Sequence, residues 1–340
     1  MGKDIIRTLQ EEHTLKYELY SNFCEEIEHQ LIHLIRNENI KLAVPIQYRA
    51  KSWISIYDKI DQKRFTIKKS ITELQDLAGI RMILLFSRDV KRIIELIQLN
   101  FKVIKKYNIE EKLSDDQFGY SSTHIIIELL NDWLKIPTLS KFKGMKIEFQ
   151  VRTLSQHSWA EVSNFLQYKQ ENNVPKPLKR SISRISALLE TVDLEYERLL
   201  SERDSYKIEL KEENIEISDA SLNVDLLENL LDTHLPASNK IEGENYSDLL
   251  KDLEQLKFYS SNDLINLIEN NKDYVFDLDK KVAKNILENY KRTKKLSTDG
   301  YTSVNEDLNR IVSGMFFSHT GLIREMLEKQ LGAPLYKLLS

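Results

Sequence analysis

The sequence predicts an α/β protein of the α+β type, in which helices flank a mixed β-sheet and a helical C-terminal region follows. Three observations support this fold class. Only 9 Gly and 6 Pro occur among 340 residues, which favours helices over long loops. Short apolar runs of strand length are interleaved with helical patterns up to about residue 170. From residue 249 onward, the pattern indicates several short helices.

Four regions are expected along the chain. Residues 1–40 are expected to be an N-terminal amphipathic helix, and residues 41–215 a sheet-containing domain that includes its own C-terminal helices. Residues 216–248 are predicted to be a linker, because the stretch "HLPASNKIEGENYSD" is polar. Residues 249–340 are predicted to be a helical C-terminal domain, whose role the sequence does not indicate.

The individual elements follow from hydrophobic periodicity. Apolar residues recur every four positions within residues 3–36, which predicts one long helix with a single buried stripe. The stripe consists of Leu15, Leu19, Phe23, Ile27 and Leu31. Strands are predicted in "KLAVPIQYR", "AGIRMILLF", "FKVIKKYNI", "THIIIELL" and "MKIEFQVRT". A loop with Pro137 and Gly144 separates the last two, which favours their antiparallel pairing.

Charge is distributed unevenly. Residues 41–180 contain 25 Lys or Arg against 15 Asp or Glu, a net charge of +10, whereas residues 181–340 carry −10 and residues 1–40 carry −4. A basic middle between acidic ends is typical of a polyanion site, and equally of a solvated surface. The single cysteine, Cys24, excludes a disulfide framework and a cysteine-based zinc site and fits a reducing cytoplasm. No apolar run approaches about 18 residues, so we expect neither export nor a membrane span.

The stretch "KIEFQVRT", residues 146–153, alternates apolar and polar side chains like a half-buried strand. Glu148, Gln150 and Arg152 would form a polar row on one face of the sheet. Two interpretations are open from these residues alone. The face is simply solvated, or it binds a charged ligand.

The stretch "YRAKSWISIYDK" brings positive charge to the start of a helix. Its polar residues are Arg49, Lys51, Ser55 and Lys59, of which Ser55 and Lys59 lie four apart on one face. Lysines and a hydroxyl near a helix start suit a triphosphate, and an arginine plane can stack on a base. An ordinary basic amphipathic helix has the same pattern.

Two further clusters contain candidate site residues. Asp76 precedes a buried strand that carries Arg81, and with Glu148 as a second carboxylate it would suit Mg²⁺; alone, it would be a turn residue or a helix cap. Tyr120, in "SDDQFGYSSTHIIIEL", either stacks on a base from a tight turn or fills the core. His124 follows at the start of a strand, where it is a structural histidine or a ligand contact.

Together and in this order, these clusters closely resemble the synthetase domain of the RelA/SpoT family, the (p)ppGpp synthetases. Five blocks within residues 40–200 carry the resemblance: "RAKSWISIYDK", "DLAGIR", "GYSSTH", "IEFQVRT", and "WAEV" with the "YK" that follows it. Five blocks in the family's order are far more specific than any single block, and they cover a little under half of the chain. The resemblance implies a nucleotidyltransferase-like mixed sheet flanked by helices.

The resemblance also implies a role for each matching residue. The ATP-binding residues would be Arg49 and Arg81 at the adenine and Lys51, Ser55 and Lys59 at the phosphates. The catalytic residues would be Glu148, Asp76, Gln150 and Arg152. Asp76 and Glu148 would coordinate Mg²⁺, and Glu148 would also help to deprotonate the attacking 3'-hydroxyl. The acceptor nucleotide would be contacted by Tyr120, His124, Lys112 and Asn164.

The reaction implied is transfer of the β,γ-pyrophosphoryl group of ATP to the 3'-oxygen of GDP or GTP, a cytoplasmic activity of the stringent response. Long family members have a hydrolase half with a His-Asp motif, and no His-Asp pair occurs in these 340 residues, so we expect synthesis without hydrolysis.

One departure from the family leaves the acceptor open. Many members have Glu-His-Lys in the helix after Trp159, where this sequence has Ser163, Asn164 and Phe165. An alternative is therefore a toxic relative that pyrophosphorylates the 3' end of tRNA or makes an adenosine alarmone, with the C-terminal region as a fused neutraliser in phage defence. Homo-oligomerisation and intramolecular regulation by the C-terminal region are also open.

Overall fold

The computed structural model describes residues 3–38, 40–62, 65–108, 122–166, 175–212, 220–294 and 306–339. The chain divides into two compact units, Met1–Ser201 and Glu202–Ser340, and each unit has its own hydrophobic core. The boundary between the units therefore lies before the predicted one at residue 215. Within these described ranges, no helix combines the length and the apolar character needed to span a membrane.

The first unit is built from helices around one five-stranded sheet. Its elements are α1 (Lys3–Asn37), β1 (Gln47–Ala50), α2 (Trp53–Asp61), β2 (Ala78–Leu84), α3 (Ser87–Asn100), β3 (Lys102–Asn108), β4 (Thr123–Glu128), β5 (Ile147–Thr153), α4 (Leu154–Phe165) and the start of α5 (Lys176–Glu212). The strand order is β1-β2-β5-β4-β3. Strands β2 and β5 are parallel and all other neighbours are antiparallel. This confirms the predicted mixed sheet and the antiparallel pairing of β4 with β5.

The apolar stripe of α1 differs from the prediction at its N-terminal end. Phe23, Ile27 and Leu31 are fully buried, as predicted, but Leu15 is 84% exposed. Four residues advance about 400° on an α-helix, so a strict repeat of four drifts by about 40° at each step. The buried face continues instead through Leu9, which is 2% exposed.

The second unit consists of helices, which confirms the predicted helical C-terminal region. They are the end of α5, α6 (Val224–His234), α7 (Tyr246–Gln255), α8 (Ser261–Lys294), α9 (Glu306–Val312), α10 (His319–Leu331) and α11 (Leu335–Leu338). Leucines from α6, α7, α8 and α10 make most of its core.

The linker predicted over residues 216–248 is wrong for its described part, residues 220–248. This part contains α6, whose side chain at Leu227 is fully buried, and the start of α7. The polar connection between these helices is also fixed in place, because Asn239 is 4% exposed and donates to Asp279 Oδ2 at 2.9 Å. The polar residues of this connection therefore take part in a buried hydrogen-bond network, and the connection is not a free linker.

Candidate active site

One face of the sheet in the first unit carries polar side chains on all five strands. The backbone register aligns Gln47, Arg81, Gln150, His124 and Tyr107 as successive partners on β1, β2, β5, β4 and β3. Because directly opposed residues project to the same side of a sheet, these five form one row across it. A second row, two residues away on each strand, contains Arg49, Gly79, Glu148, Ile126 and Lys105.

Glu148 lies on the central strand β5 and is only 9% exposed. Its Oε1 accepts a hydrogen bond from the Tyr107 hydroxyl at 2.7 Å and contacts His124 Nδ1 at 3.0 Å. Its Oε2 accepts from Gln150 Nε2 at 3.0 Å. Burial alone would raise the pKa of Glu148, but the hydrogen bonds and the charge of His124 prevail and lower it to about 2. The polar face of "KIEFQVRT" is thus a buried, anionic site and not simply a solvated one.

A cavity of about 220 Å³ lies beside the first row, at β1 and β2. It is lined by Gln47, Tyr48, Arg49, Gly79, Ile80, Arg81 and Gln150. Arg81 is oriented by two amides, since its Nε donates to Gln150 Oε1 at 3.4 Å and its Nη1 to Gln47 Oε1 at 3.3 Å. The two arginines predicted to bind adenine therefore line the same cavity.

Asp76, just before β2, is held by two lysines. Its Oδ2 accepts from Lys51 Nζ at 2.5 Å and from Lys59 Nζ at 3.0 Å. Burial would favour the protonated carboxyl, but the two ammonium groups outweigh burial and lower the pKa of Asp76. Its Oδ1 is buried and has no hydrogen-bond partner among the described residues. Asp76 therefore retains one acceptor atom for a ligand.

The two carboxylates fit the predicted magnesium site in their chemistry. Oδ1 of Asp76 is an acceptor without a partner in the described ranges, and carboxylate oxygens are the ligands that Mg²⁺ prefers. The negative charges of Asp76 and Glu148 both favour the charged form of Lys51. The two carboxylates therefore act on the same ammonium group. No group of three or more metal-ligating side chains occurs in the part of the chain that the structure describes. Since Mg²⁺ usually binds one or two carboxylates, several waters and substrate phosphates, such a group is not required.

Helix α4 places the side chains of His157 and Glu161 beside the two rows, and neither was among the predicted site residues. Arg152 is 5% exposed, and its Nη2 contacts His157 Nδ1 at 2.7 Å and Glu161 Oε1 at 3.5 Å. Glu161 Oε1 also accepts from Arg81 Nη1 at 3.2 Å. Burial and the neighbouring Arg81 lower the pKa of Arg152 to about 10, so the guanidinium stays charged at neutral pH. His157 and Glu161 are four residues apart, so they lie on one face of the helix. This spacing was the sequence signal that could have identified them as a pair.

Tyr107 and Ser122 were also missed. Tyr107 donates a hydrogen bond to Glu148, and Ser122 Oγ lies 2.8 Å from His124 Nε2. No local motif marks Tyr107, because it reaches the site only through the pairing of β3 with β4. A correct register for these two strands would have found it.

The remaining predicted residues lie apart from this network or outside the described ranges. Ser55 is exposed in the first turn of α2, where its hydroxyl lies 3.0 Å from Ser52 Oγ. Asn164 is exposed near the end of α4. Lys112 and Tyr120 lie outside the described residues. The roles assigned to all site residues stay predictions.

Comparison with known protein families matches residues 48–173 to the region found in RelA / SpoT proteins. Residues 48–173 form a RelA/SpoT domain. The GTP pyrophosphokinase YjbM of Bacillus subtilis strain 168 is 29% identical to this chain over 165 residues, which cover 46% of this chain and 74% of that protein. The GTP pyrophosphokinase YwaC of the same strain is 28% identical over 158 residues, which cover 44% of this chain and 71% of that protein.

Comparison with solved structures also gives matches. The crystal structure of small alarmone synthetase 1 from Bacillus subtilis matches with 25% sequence identity and a TM-score of 0.45, covering 55% of this chain and 94% of that chain. The RelA/SpoT domain contains the strands β2 to β5 and the helices between them. The described residues that follow, 175–212, 220–294 and 306–339, lie beyond the family match.

Proposed function

We propose that this chain is a GTP diphosphokinase, which transfers the β,γ-pyrophosphoryl group of ATP to the 3'-oxygen of GDP or GTP. One observation carries the proposal: within a RelA/SpoT domain, Glu148 is held as a buried carboxylate at the centre of a polar face that adjoins a cavity with two arginines. The two similar Bacillus proteins named GTP pyrophosphokinases support the same reaction class.

In the proposed reaction, the 3'-oxygen of the acceptor bonds to the β-phosphorus of ATP. The bond from that phosphorus to the oxygen bridging the α- and β-phosphates breaks, AMP leaves, and the hydroxyl proton is released to solvent. Transfers of this kind depend mainly on positioning and on neutralising phosphate charge. Asp76 and Glu148 would hold Mg²⁺, which would supply part of that neutralisation.

The donor nucleotide would occupy the cavity at β1 and β2. Arg49 and Arg81 would contact the adenine from this cavity, and Lys51 and Lys59 would bind the phosphates. Both lysines already bond Asp76, but an ammonium group has three N–H donors. Each lysine can therefore bond a phosphate oxygen while it keeps its contact with Asp76.

The low pKa of Glu148 limits what this residue does. A carboxylate with a pKa of about 2 takes a proton weakly at neutral pH, because general-base catalysis is most efficient when the pKa lies near the working pH. Glu148 would therefore orient the attacking 3'-hydroxyl and bind the metal ion more effectively than it would remove the proton.

The test is a transfer assay with the full-length chain. The purified protein and Mg²⁺ are incubated with γ-labelled ATP and, separately, GDP, GTP, ATP or deacylated tRNA, and the products are resolved. Label on GDP or GTP supports the proposal. Label only on ATP or tRNA supports the alternative of a toxic relative, and no transfer to any acceptor contradicts both.

A variant pair tests the role of Glu148. Glu148→Gln should abolish transfer while binding of a non-hydrolysable ATP analogue persists. The matched control is Glu128→Gln, since Glu128 also lies on a strand but pairs with Lys102 at 3.0 Å, and transfer should persist in this variant. Transfer by Glu148→Gln at the wild-type rate would show that the assignment is wrong.

Two further expectations belong to this proposal. Synthesis without hydrolysis predicts that labelled product stays intact when it is incubated with the protein and either Mg²⁺ or Mn²⁺, and release of pyrophosphate would contradict it. The predicted cytoplasmic location rests on the single Cys24 and stays a prediction.

A further inference from the structure

Tyr107 contacts the central carboxylate of the site from the edge strand β3. Its hydroxyl donates to Glu148 Oε1 at 2.7 Å, and this is the same oxygen that His124 Nδ1 contacts at 3.0 Å. The other oxygen, Oε2, accepts only from Gln150 among the described residues. A carboxylate oxygen has about two lone-pair sites, so two donors at Oε1 leave Oε2 as the atom with capacity for a further ligand.

The ring of Tyr107 is braced by its neighbours. It is stacked on the His124 ring with a centroid distance of 5.2 Å and an interplanar angle of 28°. Lys105 Nζ lies over the ring at 5.3 Å from its centroid. Contacts with the face of a ring limit the tilt of the ring plane. They therefore help to fix the position of the hydroxyl group. An ordinary phenol has a pKa of about 10, so the hydroxyl is protonated and acts as a donor at neutral pH.

We propose that Tyr107 is a positioning residue for the reaction: its hydroxyl, together with His124, occupies Oε1 of Glu148 and thereby turns Oε2 toward the acceptor hydroxyl or the metal ion. The inference rests on the proposed pyrophosphoryl transfer. It goes beyond that proposal because Tyr107 lies outside every motif that carries the family resemblance and touches no predicted nucleotide-binding residue except His124.

The test removes the hydroxyl and keeps the ring. Tyr107→Phe retains the stacking on His124 and the contact with Lys105, so the loss is confined to one hydrogen bond to a charged group. Such a bond corresponds to roughly a tenfold or larger effect. We expect kcat to fall about tenfold, while KM for ATP and for the acceptor stays within about twofold. Tyr196→Phe is the matched control, because Tyr196 is 43% exposed on α5, and its kinetics should equal those of the wild type.

Two additional measurements separate positioning from a general structural effect. Replacement of Tyr107 by para-aminophenylalanine keeps the ring and places an N–H donor where the hydroxyl lies, so it should recover part of kcat relative to Tyr107→Phe; it also tests the contact if Tyr107→Phe does not fold. A double-mutant cycle in EDTA follows urea unfolding by tryptophan fluorescence, without substrate or metal. Tyr107→Phe should lower the unfolding midpoint more in the wild type than in the Glu148→Gln background.

The outcomes distinguish this inference from the proposed function. If the wild type transfers label and Tyr107→Phe has a kcat within twofold of it, the inference is overturned. It is also overturned if Tyr107→Phe raises KM for the acceptor at unchanged kcat, since the hydroxyl would then bind substrate directly. If the wild type transfers no label, the proposed function fails, while the double-mutant cycle still reports whether Tyr107 acts on Glu148.

Discussion

Ionisation of Glu148 should make the first unit sensitive to acid. A free glutamate has a pKa near 4.5, and the folded protein lowers the pKa of Glu148 to about 2. Because the folded-state pKa is depressed, this group stabilises the fold above pH 4.5 and loses that contribution as the pH falls toward 2. The full contribution of such a shift is about 3 kcal/mol at neutral pH, an order-of-magnitude figure.

The measurable part lies between pH 5 and pH 3.5. Over this interval, proton linkage with pKa values of 4.5 unfolded and about 2 folded gives a loss of about 1.2 kcal/mol in the free energy of unfolding. The assay is urea denaturation in EDTA at both pH values, for the wild type and for Glu148→Gln. All three tryptophans, Trp53, Trp133 and Trp159, lie in Met1–Ser201, so their fluorescence reports on the first unit.

The comparison with Glu148→Gln isolates this one carboxylate. Asp76 also has a lowered pKa, but its contribution is present in both proteins and cancels in the difference. We expect the wild type to lose about 1.2 kcal/mol more than the variant between the two pH values. If both proteins lose stability in parallel, the hydrogen bonds to Glu148 do not favour its charged form, and folding does not lower its pKa.

Two other predictions follow from the cavity and from the second core. Arg81→Ala should raise KM for ATP about tenfold with a smaller change in kcat, because a stacked guanidinium contributes about 1 to 2 kcal/mol to base binding; an unchanged KM would contradict the adenine assignment. Leu227→Ala should lower the free energy of unfolding of the second unit by about 2 to 5 kcal/mol in urea denaturation followed by circular dichroism, since Leu227 is fully buried. Leu331→Ala, at a 40% exposed position, is its control, and equal effects of the two substitutions would contradict the burial argument.

Sequence patterns located the central strand of the site because the pattern is local. The alternation in "KIEFQVRT" identified both the buried residues and the polar row of β5, and the structure places Glu148 and Arg152 on that face. The basic cluster was also located, but its arrangement was not. Lys51 and Lys59 both bond Asp76, which lies 25 and 17 positions away along the chain, and such contacts depend on how β2 and α2 pack.

Register between strands is the information that the sequence did not provide. Tyr107 faces Glu148 because β3 pairs with β4 and β4 pairs with β5, and a shift of one residue in either pairing would turn its side chain to the opposite face.

Dependence on contacts between distant residues also explains the failed linker prediction. Asn239 looks like a loop residue in sequence, yet its amide donates to Asp279 and to the carbonyl of Phe317, both distant along the chain.

The geometry of Glu148 also bears on how the proposed reaction would be accelerated. Three neutral or cationic donors hold the carboxylate, and each makes it a weaker base while fixing its direction more firmly. An enzyme that relied on proton removal would gain from the opposite arrangement, in which burial without donors raises the pKa toward neutrality. Pyrophosphoryl transfer requires charge and alignment at the phosphates more than a strong base, so a fixed and permanently ionised carboxylate suits that reaction. On this argument, Tyr107 contributes to rate through the direction of Glu148, and not through its proton affinity.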